Sequence, residues 1–378
     1  MKVLSVAHNA VAESNRRRQI QLGNLPDVSL TLLTPPWWYE EGRRIDVARS
    51  AKWQVGRTLG TANGTRHVYV RALWRLIRSL QPDVIDLVEE PFTFVALQAL
   101  AGRALFARNA ALVVYSAVNV HREWRFPYRA IERIVLQHVD GAHAPNSDVA
   151  PILRAKGLGE QPVATIPLGV DSERFASAEP RRPERISGPC VGFVGRLEPV
   201  KGVDVLLDAF ERLPESWTLL IAGDGPERRR VRLRVDGQHV RLVPPLAYSD
   251  VPGFLRGLDL LVLPSVTILP EHREQFGRVL VEAMAAGVPV VGSSSGAVPE
   301  TIGDAGLVVP ERDPDALAEA IRQVLTHAEL RHSLVERGRR RVAERFSWPV
   351  VAAQTLDLFQ SAVAYRRSRV GALQEVRA

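Results

Sequence analysis

Apolar residues gather in short runs at 4–7, 28–33, 84–88, 111–116 and 141–144, and again at 191–194, 217–222, 240–243, 260–263, 288–291 and 307–309. Stretches with helical spacing separate most of them. Short runs bounded by turn residues and alternating with helices predict parallel strands covered on both faces, an α/β architecture. At 378 residues the chain exceeds one ordinary core, so two domains are expected. We expect a first domain over 1–174 and a second over 190–349. Between them, 175–189 holds Pro180, Pro183 and Pro189 among Ser, Glu and Arg, which suits an exposed linker. After Ser347-Trp348-Pro349 a last helix is predicted over about 350–366.

No apolar run reaches the length of a membrane span. The longest candidate, 92–102, carries Thr93 and Gln98 and stops at Arg103. Near the start, Lys2, residues 3–7 and His8-Asn9 read as a first strand, too short for the apolar region of a secretion signal. A cytoplasmic protein is therefore expected. The single cysteine, Cys190, excludes an internal disulfide and falls in a strand run.

Charge changes the picture in one respect. Residues 1–170 hold 21 Lys+Arg against 14 Asp+Glu, whereas 171–378 hold 28 of each, so the net +7 sits in the first half. An anionic partner or surface for that half follows, although an uneven scatter of arginine would look the same. Nucleic acid is a poor candidate, since no recognition motif accompanies the charge. In the helical pattern of 66–80, Val70, Leu73, Trp74, Ile77 and Leu80 fall on one stripe and Arg71, Arg75 and Arg78 on another. That pattern suits a helix covering a sheet; with the aromatic Trp37-Trp38-Tyr39 it also suits peripheral contact with the inner face of a membrane.

Two motifs carry chemistry. Gly195-Arg196-Leu197-Glu198-Pro199-Val200-Lys201-Gly202 follows a strand run and precedes a helical pattern. Such a turn sets a guanidinium and an ammonium beside helix N-terminal N–H groups, which suits a diphosphate. Only four of the 49 basic residues are lysine, so Lys201 hints at a site wanting a compact point charge. Alone, the turn reads equally well as two solvated cations. The second motif spaces Glu274 and Glu282 seven residues apart around Phe276-Gly277, with a helix, a Gly stop and a buried strand after them. Two carboxylates flanking a helix N-terminus can accept sugar hydroxyls on either side of a bound phosphate. For Glu274 alone, a solvated helix-start acid would serve as well.

Taken together, Gly-Arg-Leu with Lys201-Gly202, the paired Glu274 and Glu282, Ala283-Met284-Ala285, Gly287 and Pro289-Val290-Val291 resemble family 4 of the retaining, nucleotide-sugar-dependent glycosyltransferases. Further matches are Ile166 to Asp171, Ala222-Gly223-Asp224-Gly225-Pro226, Asp259 to Ser265, Gly296 to Glu300 and Ala305-Gly306-Leu307. They cover about 140–348 well and the earlier part thinly. The resemblance implies the GT-B fold: two Rossmann-like parallel-sheet domains facing a cleft, with a C-terminal helix, 350–378, crossing back to the first.

It also implies roles. Arg196 and Lys201 neutralise the leaving nucleoside diphosphate; Glu274 binds hydroxyls of the donor hexose and Glu282 those of the ribose; the N–H groups of Phe276 and Gly277 meet the phosphates. Gly195, Gly223 and Gly225 leave room for the ligand, although turn duty explains the last two as well. Gln275 stands where the family commonly has Gly, which puts the hexose in doubt. The glycine-rich turn that many members carry after the first strand is here 7–16 without glycine, with Asn9, Asn15 or Arg16 as substitutes. For the family's histidine after the strand at 111–116, the nearest slots are Val118 and Asn119, and His121 comes slightly later. Glu90, at a strand's C-terminal end, is a candidate for the acceptor, with a helix-start acid as the plain alternative.

The reading that follows is a metal-independent retaining hexosyltransferase with no cofactor, a nucleotide diphosphate sugar as co-substrate, and an acceptor hydroxyl on a lipid-linked or small-molecule glycan. A GT-B sugar-nucleotide epimerase or phosphorylase is the alternative. A dehydrogenase is disfavoured because the first turn lacks glycine and Val191-Gly192-Phe193-Val194-Gly195 is not the dinucleotide fingerprint. A sugar-binding module without activity is disfavoured by the intact set Arg196, Lys201, Glu274 and Glu282. Donor base, hexose, acceptor and oligomeric state are not legible in the sequence.

Overall fold

Successive residues of the strand Val84–Leu87 enter two different cores: Ile85 and Leu87 pack in one, Val84 in the other. That is the period-2 consequence of a sheet covered on both faces. The computed structural model describes the chain apart from residues 41–42, 48–49, 51–52, 61–63, 185, 187, 236, 270–271 and 376–378. Two residues of the expected linker and the last three of the expected C-terminal segment thus lie outside the described residues.

The chain forms two compact units, Met1–Pro167 with Trp348–Ala378, and Leu168–Ser347. In the first, seven parallel strands run in the order Val163–Thr165, Gly141–Ala144, Ala111–Tyr115, Val84–Leu87, Lys2–Val6, Ser29–Thr34, Trp53–Val55. In the second, six run in the order Val240–Val243, Thr218–Ala222, Cys190–Val194, Leu260–Leu263, Val290–Ser293, Gly306–Val309. Both sheets reverse direction of growth once, between Lys2–Val6 and Val84–Leu87 and between Cys190–Val194 and Leu260–Leu263. The crevice beyond the C-terminal ends of such a strand pair is where open α/β sheets collect ligands.

All eleven predicted strands are present. The edge strands Val163–Thr165 and Trp53–Val55, of three residues each, were not anticipated, nor were two small antiparallel hairpins, Trp37–Glu40 with Arg43–Asp46 and Thr58–Leu59 with Val68–Tyr69. The second hairpin shortens the helix expected over 66–80 to Ala72–Leu80. Leu73, Leu76 and Ile77 are buried there, while Trp74 is 39% exposed and shares the outer side with Arg71, Arg75 and Arg78. Its indole N–H donates to the Gln98 carbonyl at 2.9 Å. Trp38 of the first hairpin is buried, which removes it from the expected aromatic tip.

The division between the units also lies earlier than 174. Asp171 caps the helix Ser172–Ser177, accepting from the Arg174 N–H, and Phe175 on it is fully buried in the second core. Its apolar burial outweighs the linker character of the prolines that follow. The last helix, Trp348–Glu375, is longer than expected and belongs to the first unit. Val351, Ala352, Leu358, Phe359 and Ala362 form a core with Val3, Leu22, Val84, Ala111 and Val113. Arg366 holds it further by donating from Nε to the Arg108 carbonyl at 3.1 Å. No helix among the described residues is long and apolar enough to cross a membrane.

Because the fully buried Phe359 joins this helix to the sheet, Phe359→Ala should cost the first unit about 3–5 kcal/mol. Urea denaturation followed by tryptophan fluorescence checks this; an unchanged midpoint for the first unit's transition would contradict the packing described.

Candidate functional site

At the switch point of the second sheet the backbone is drawn tight by glycines. A Cβ on Gly202, which has φ +63°, would collide with the Pro264 carbonyl, and the Val266 N–H donates to the Val200 carbonyl at 2.8 Å. The loop carrying Arg196 and Lys201 is thereby clamped to the loop leaving Leu260–Leu263. Gly296 does the same one strand further on. With φ +50°, its absent side chain would strike the Glu274 carbonyl, which also accepts the Ala297 N–H at 2.9 Å.

These approaches bring the two motifs together. Lys201 Nζ donates to Glu274 Oε2 at 2.6 Å, and the Ser265 hydroxyl donates to the same oxygen at 2.8 Å. Burial would raise the Glu274 carboxyl, but the ammonium and the two hydrogen bonds outweigh it and hold the group below its ordinary value. Arg196, 55% exposed, pairs with Glu198 of its own loop. His272 senses Glu274, Lys201, Glu198 and Arg196; burial chiefly holds its pKa below the usual value. Two cations, each engaged by one carboxylate, form a single electrostatic cluster here.

The helix Arg278–Ala286 starts beside it. Gly277, at φ +78°, is its N-cap, and a Cβ there would press on Leu280 and Leu263. Phe276 is buried, and its carbonyl accepts the Thr301 hydroxyl at 2.6 Å. One turn along, Glu282 is 6% exposed. Burial pushes its carboxyl up to about 7 against the opposing pull of Arg278, Arg174 and the Tyr248 hydroxyl. Arg174 stacks over the Tyr248 ring at 4.8 Å, so Tyr248 is held next to the acid.

Gly223 and Gly225 have a plainer explanation than ligand room. A Cβ on either would meet the backbone of Gly195 or Leu197, and the Gly195 N–H donates to Ala222 at 3.0 Å. They allow two strand-end loops to cross. Ser265, Tyr248, Arg174 and Arg278 were not singled out from the sequence. Only Ser265 carried a signal, at the end of the matched segment 259–265.

In the first unit the proposed residues do other work as well. Arg16 is buried, with Nη1 donating to the Ala10 and Val11 carbonyls at 2.9 and 2.7 Å, and its guanidinium lies 4.7 Å from the Trp53 ring centre. It holds the glycine-free turn closed from inside rather than presenting a charge. Asn9 is half-buried, and its carbonyl accepts from the Asn15 amide at 3.0 Å. Glu90 accepts from the Ser116 hydroxyl at 2.7 Å and the Ala117 N–H at 2.8 Å, tying its loop to the one after Ala111–Tyr115; burial pushes its pKa up to about 7. On that second loop Asn119 is buried and His121 exposed, so the two do not act as interchangeable slots. The sequence reading passed over His8, His67 and the fully buried Asp86, which accepts from Ser5 and Arg18.

Comparison with known proteins agrees with this geometry. Residues 178–341 match the model for glycosyl transferases group 1, and residues 27–174 the model for glycosyltransferase family 4. A phosphatidyl-myo-inositol mannosyltransferase of Mycolicibacterium smegmatis is 35% identical over 293 residues, 74% of this chain and 71% of that one. A D-inositol 3-phosphate glycosyltransferase of Saccharomonospora viridis is 32% identical over 245 residues, 58% of this chain and 55% of that one. The chain spans about half of that relative's length. Sucrose-phosphate synthase from Thermosynechococcus elongatus superposes with a TM-score of 0.72 at 20% identity, covering 96% of this chain and 99% of that one, a likeness of fold alone. With consecutive family models on its two halves and a relative shared over most of both lengths, the chain belongs to the family 4 glycosyltransferases of the GT-B fold.

Proposed function

We propose that this protein is a retaining glycosyltransferase that moves a hexose from a nucleoside diphosphate sugar to an acceptor hydroxyl. The observation that carries the reading is the 2.6 Å contact of Lys201 with Glu274, which unites a cationic loop and an acidic helix start at the second sheet's switch point. As the glycosidic bond breaks, negative charge develops on the diphosphate. Arg196 and Lys201 take that charge in place of a divalent ion, aided by the N–H groups at the start of Arg278–Ala286. Glu274 is left to accept hexose hydroxyls and Glu282 those of the ribose. Retention by front-face departure is adopted from the family. Relatives named for inositol and phosphatidylinositol acceptors support a polyol acceptor, free or lipid-linked. Screening nucleotide sugars for transfer to inositol phosphate and phosphatidylinositol tests the reading; no turnover with any donor would refute it.

Removing either cation should expose its role. Lys201→Ala or Arg196→Ala should lower turnover by about a hundredfold or more, the scale of losing one charge-stabilising donor; melting temperature should stay close to that of the wild type in Arg196→Ala, at an exposed position, and fall in Lys201→Ala, which leaves the buried Glu274 charge uncompensated. Near-normal turnover at saturating donor in either variant would rule out the clamp.

Glu282→Ala should weaken binding of the nucleoside diphosphate, whereas Glu274→Ala should spare it, because Lys201 is then left unpaired for the phosphates. Calorimetry with the diphosphate decides, and equal losses would contradict the division. The pH dependence has a definite sign. A carboxyl raised to about 7 in the folded protein, from 4.5, is ionised only above that pH, so wild-type diphosphate affinity should fall as pH drops through 7. In the free protein the raised pKa disfavours folding above about 7, and the penalty vanishes below 4.5. Glu282→Gln should accordingly raise the second unit's urea midpoint at pH 8 more than at pH 5.

For the first unit, Trp74 beside Arg71, Arg75 and Arg78 on the outer side of Ala72–Leu80 supports reversible attachment to an anionic membrane. Each basic residue near such a surface contributes about 1 kcal/mol. Cosedimentation should show binding to anionic but not neutral vesicles, lost in high salt and reduced when the three arginines become Gln. No binding to anionic vesicles at low ionic strength would leave only a soluble acceptor.

A further inference from the structure

The first sheet has a switch point of its own, and chemistry gathers there. His8 follows Lys2–Val6 and Glu89 follows Val84–Leu87, the adjacent strands at the reversal, while His67 enters from the residue before Val68–Tyr69. His8 Nδ1 lies 2.6 Å from Glu89 Oε2, and His67 Nε2 lies 3.6 Å from Glu89 Oε1. One ligand atom from each residue lies within 4.8 Å of the other two. His67 is completely buried, and neither of its ring nitrogens has a hydrogen-bond partner among the described residues. An unmatched buried polar group costs about 1–3 kcal/mol; His67 has only the Glu89 carboxylate, 3.6 Å from Nε2, and no partner for Nδ1 among the described residues, so a bound ion would offset that cost.

We propose that His8, His67 and Glu89 bind a borderline divalent cation of the zinc class. Two imidazoles and one carboxylate are a zinc donor set that leaves a fourth position open, whereas a hard cation such as magnesium takes mainly oxygen. Ligand atoms about 2.0–2.2 Å from a tetrahedral ion sit roughly 3.3–3.6 Å apart, so the 2.6 Å contact of His8 has to lengthen when an ion enters, and the set, within 4.8 Å, has to draw together around it. The surroundings suit this. The His8 backbone N–H donates to Glu89 Oε1 at 2.8 Å and orients the carboxylate. Trp38 packs over both imidazoles, with ring centres at 4.7 and 4.9 Å, and shields the ion from one side. The His8 side chain is 24% exposed, so the cluster is reachable from solvent on its side. This departs from the metal-free expectation for the first unit only, and it stands whether or not the glycosyltransferase reading holds.

The test uses the untagged 378-residue chain, stripped with chelator and then exposed to zinc. Elemental analysis after gel filtration should find one equivalent, zinc should raise the melting temperature, and cobalt(II) should give the intense visible absorption of a four-coordinate site. His8→Ala, at a partly exposed position, should fold normally yet bind zinc at least about a hundredfold more weakly, since second-sphere changes alone cost 10–100-fold. Glu89→Gln should do likewise. The proposal is overturned if zinc is retained only as a substoichiometric trace with no change in melting temperature, or if His8→Ala binds as tightly as the wild type.

Discussion

The hydrogen-bonded ion pair between Lys201 and Glu274 is the contact on which the second unit's site depends. It joins residues 73 apart in sequence, and Glu274 is 5% exposed, so its charge depends on partners such as the ammonium and the Ser265 hydroxyl. Removing one partner of such a pair leaves a buried charge uncompensated, which is far more costly than never having had the pair. The geometry is therefore defended by backbone. Gly202 and Gly296 adopt left-handed conformations with neighbouring carbonyls where side chains would be, and no other residue permits that approach.

The same arrangement explains how one cluster holds two kinds of carboxylate. Glu274 and Glu282 are both buried, yet they are shifted in opposite directions. Glu274 has a cation in direct contact, and its attraction together with the hydrogen bonds from Lys201 and Ser265 outweighs desolvation. Glu282 has Arg278 and Arg174 nearby and a tyrosine hydroxyl as its hydrogen-bond partner, and desolvation prevails. One group is thus held toward its anion, while burial favours the neutral form of the other.

The first unit spends its polar residues differently. Arg16 closes the turn after the first strand and Glu90 ties two loops, both serving the scaffold at positions that the sequence offered as candidates for substrate contact. His8, His67 and Glu89 meanwhile collect at the sheet's reversal, the position that in the second unit is occupied by the Gly195 loop. Burial of Asp86 against Arg18, Ser5 and His143 fastens the helix Glu13–Gly23 to the sheet below them. Desolvation opposes the charge there, but Arg18, His143 and Ser5 together outweigh it and bring this acid down to about 2.

Local pattern determined much of this protein. Central strands were legible because burial on both faces demands continuous apolar runs, and Arg196, Lys201, Glu274 and Glu282 because their motifs combine turn, helix start and charge at short range. What needed tertiary structure was whatever depends on distant partners. The three-residue edge strands at 53–55 and 163–165 pair on one side only and carry too little pattern to register. Residues 68–69 follow a helical period, yet pairing with Thr58–Leu59 draws them into a hairpin. Phe175 looked like the start of a linker until a core 0% open to solvent claimed it. Gly223 and Gly225 suited ligand room and turn duty equally until the crossing loops supplied the turn reason, and His67 had no local signature at all. A sequence encodes periodicity and short-range chemistry; which loops cross, which side chains lose their water and which imidazoles meet a carboxylate is decided only when strands far apart in the chain lie side by side.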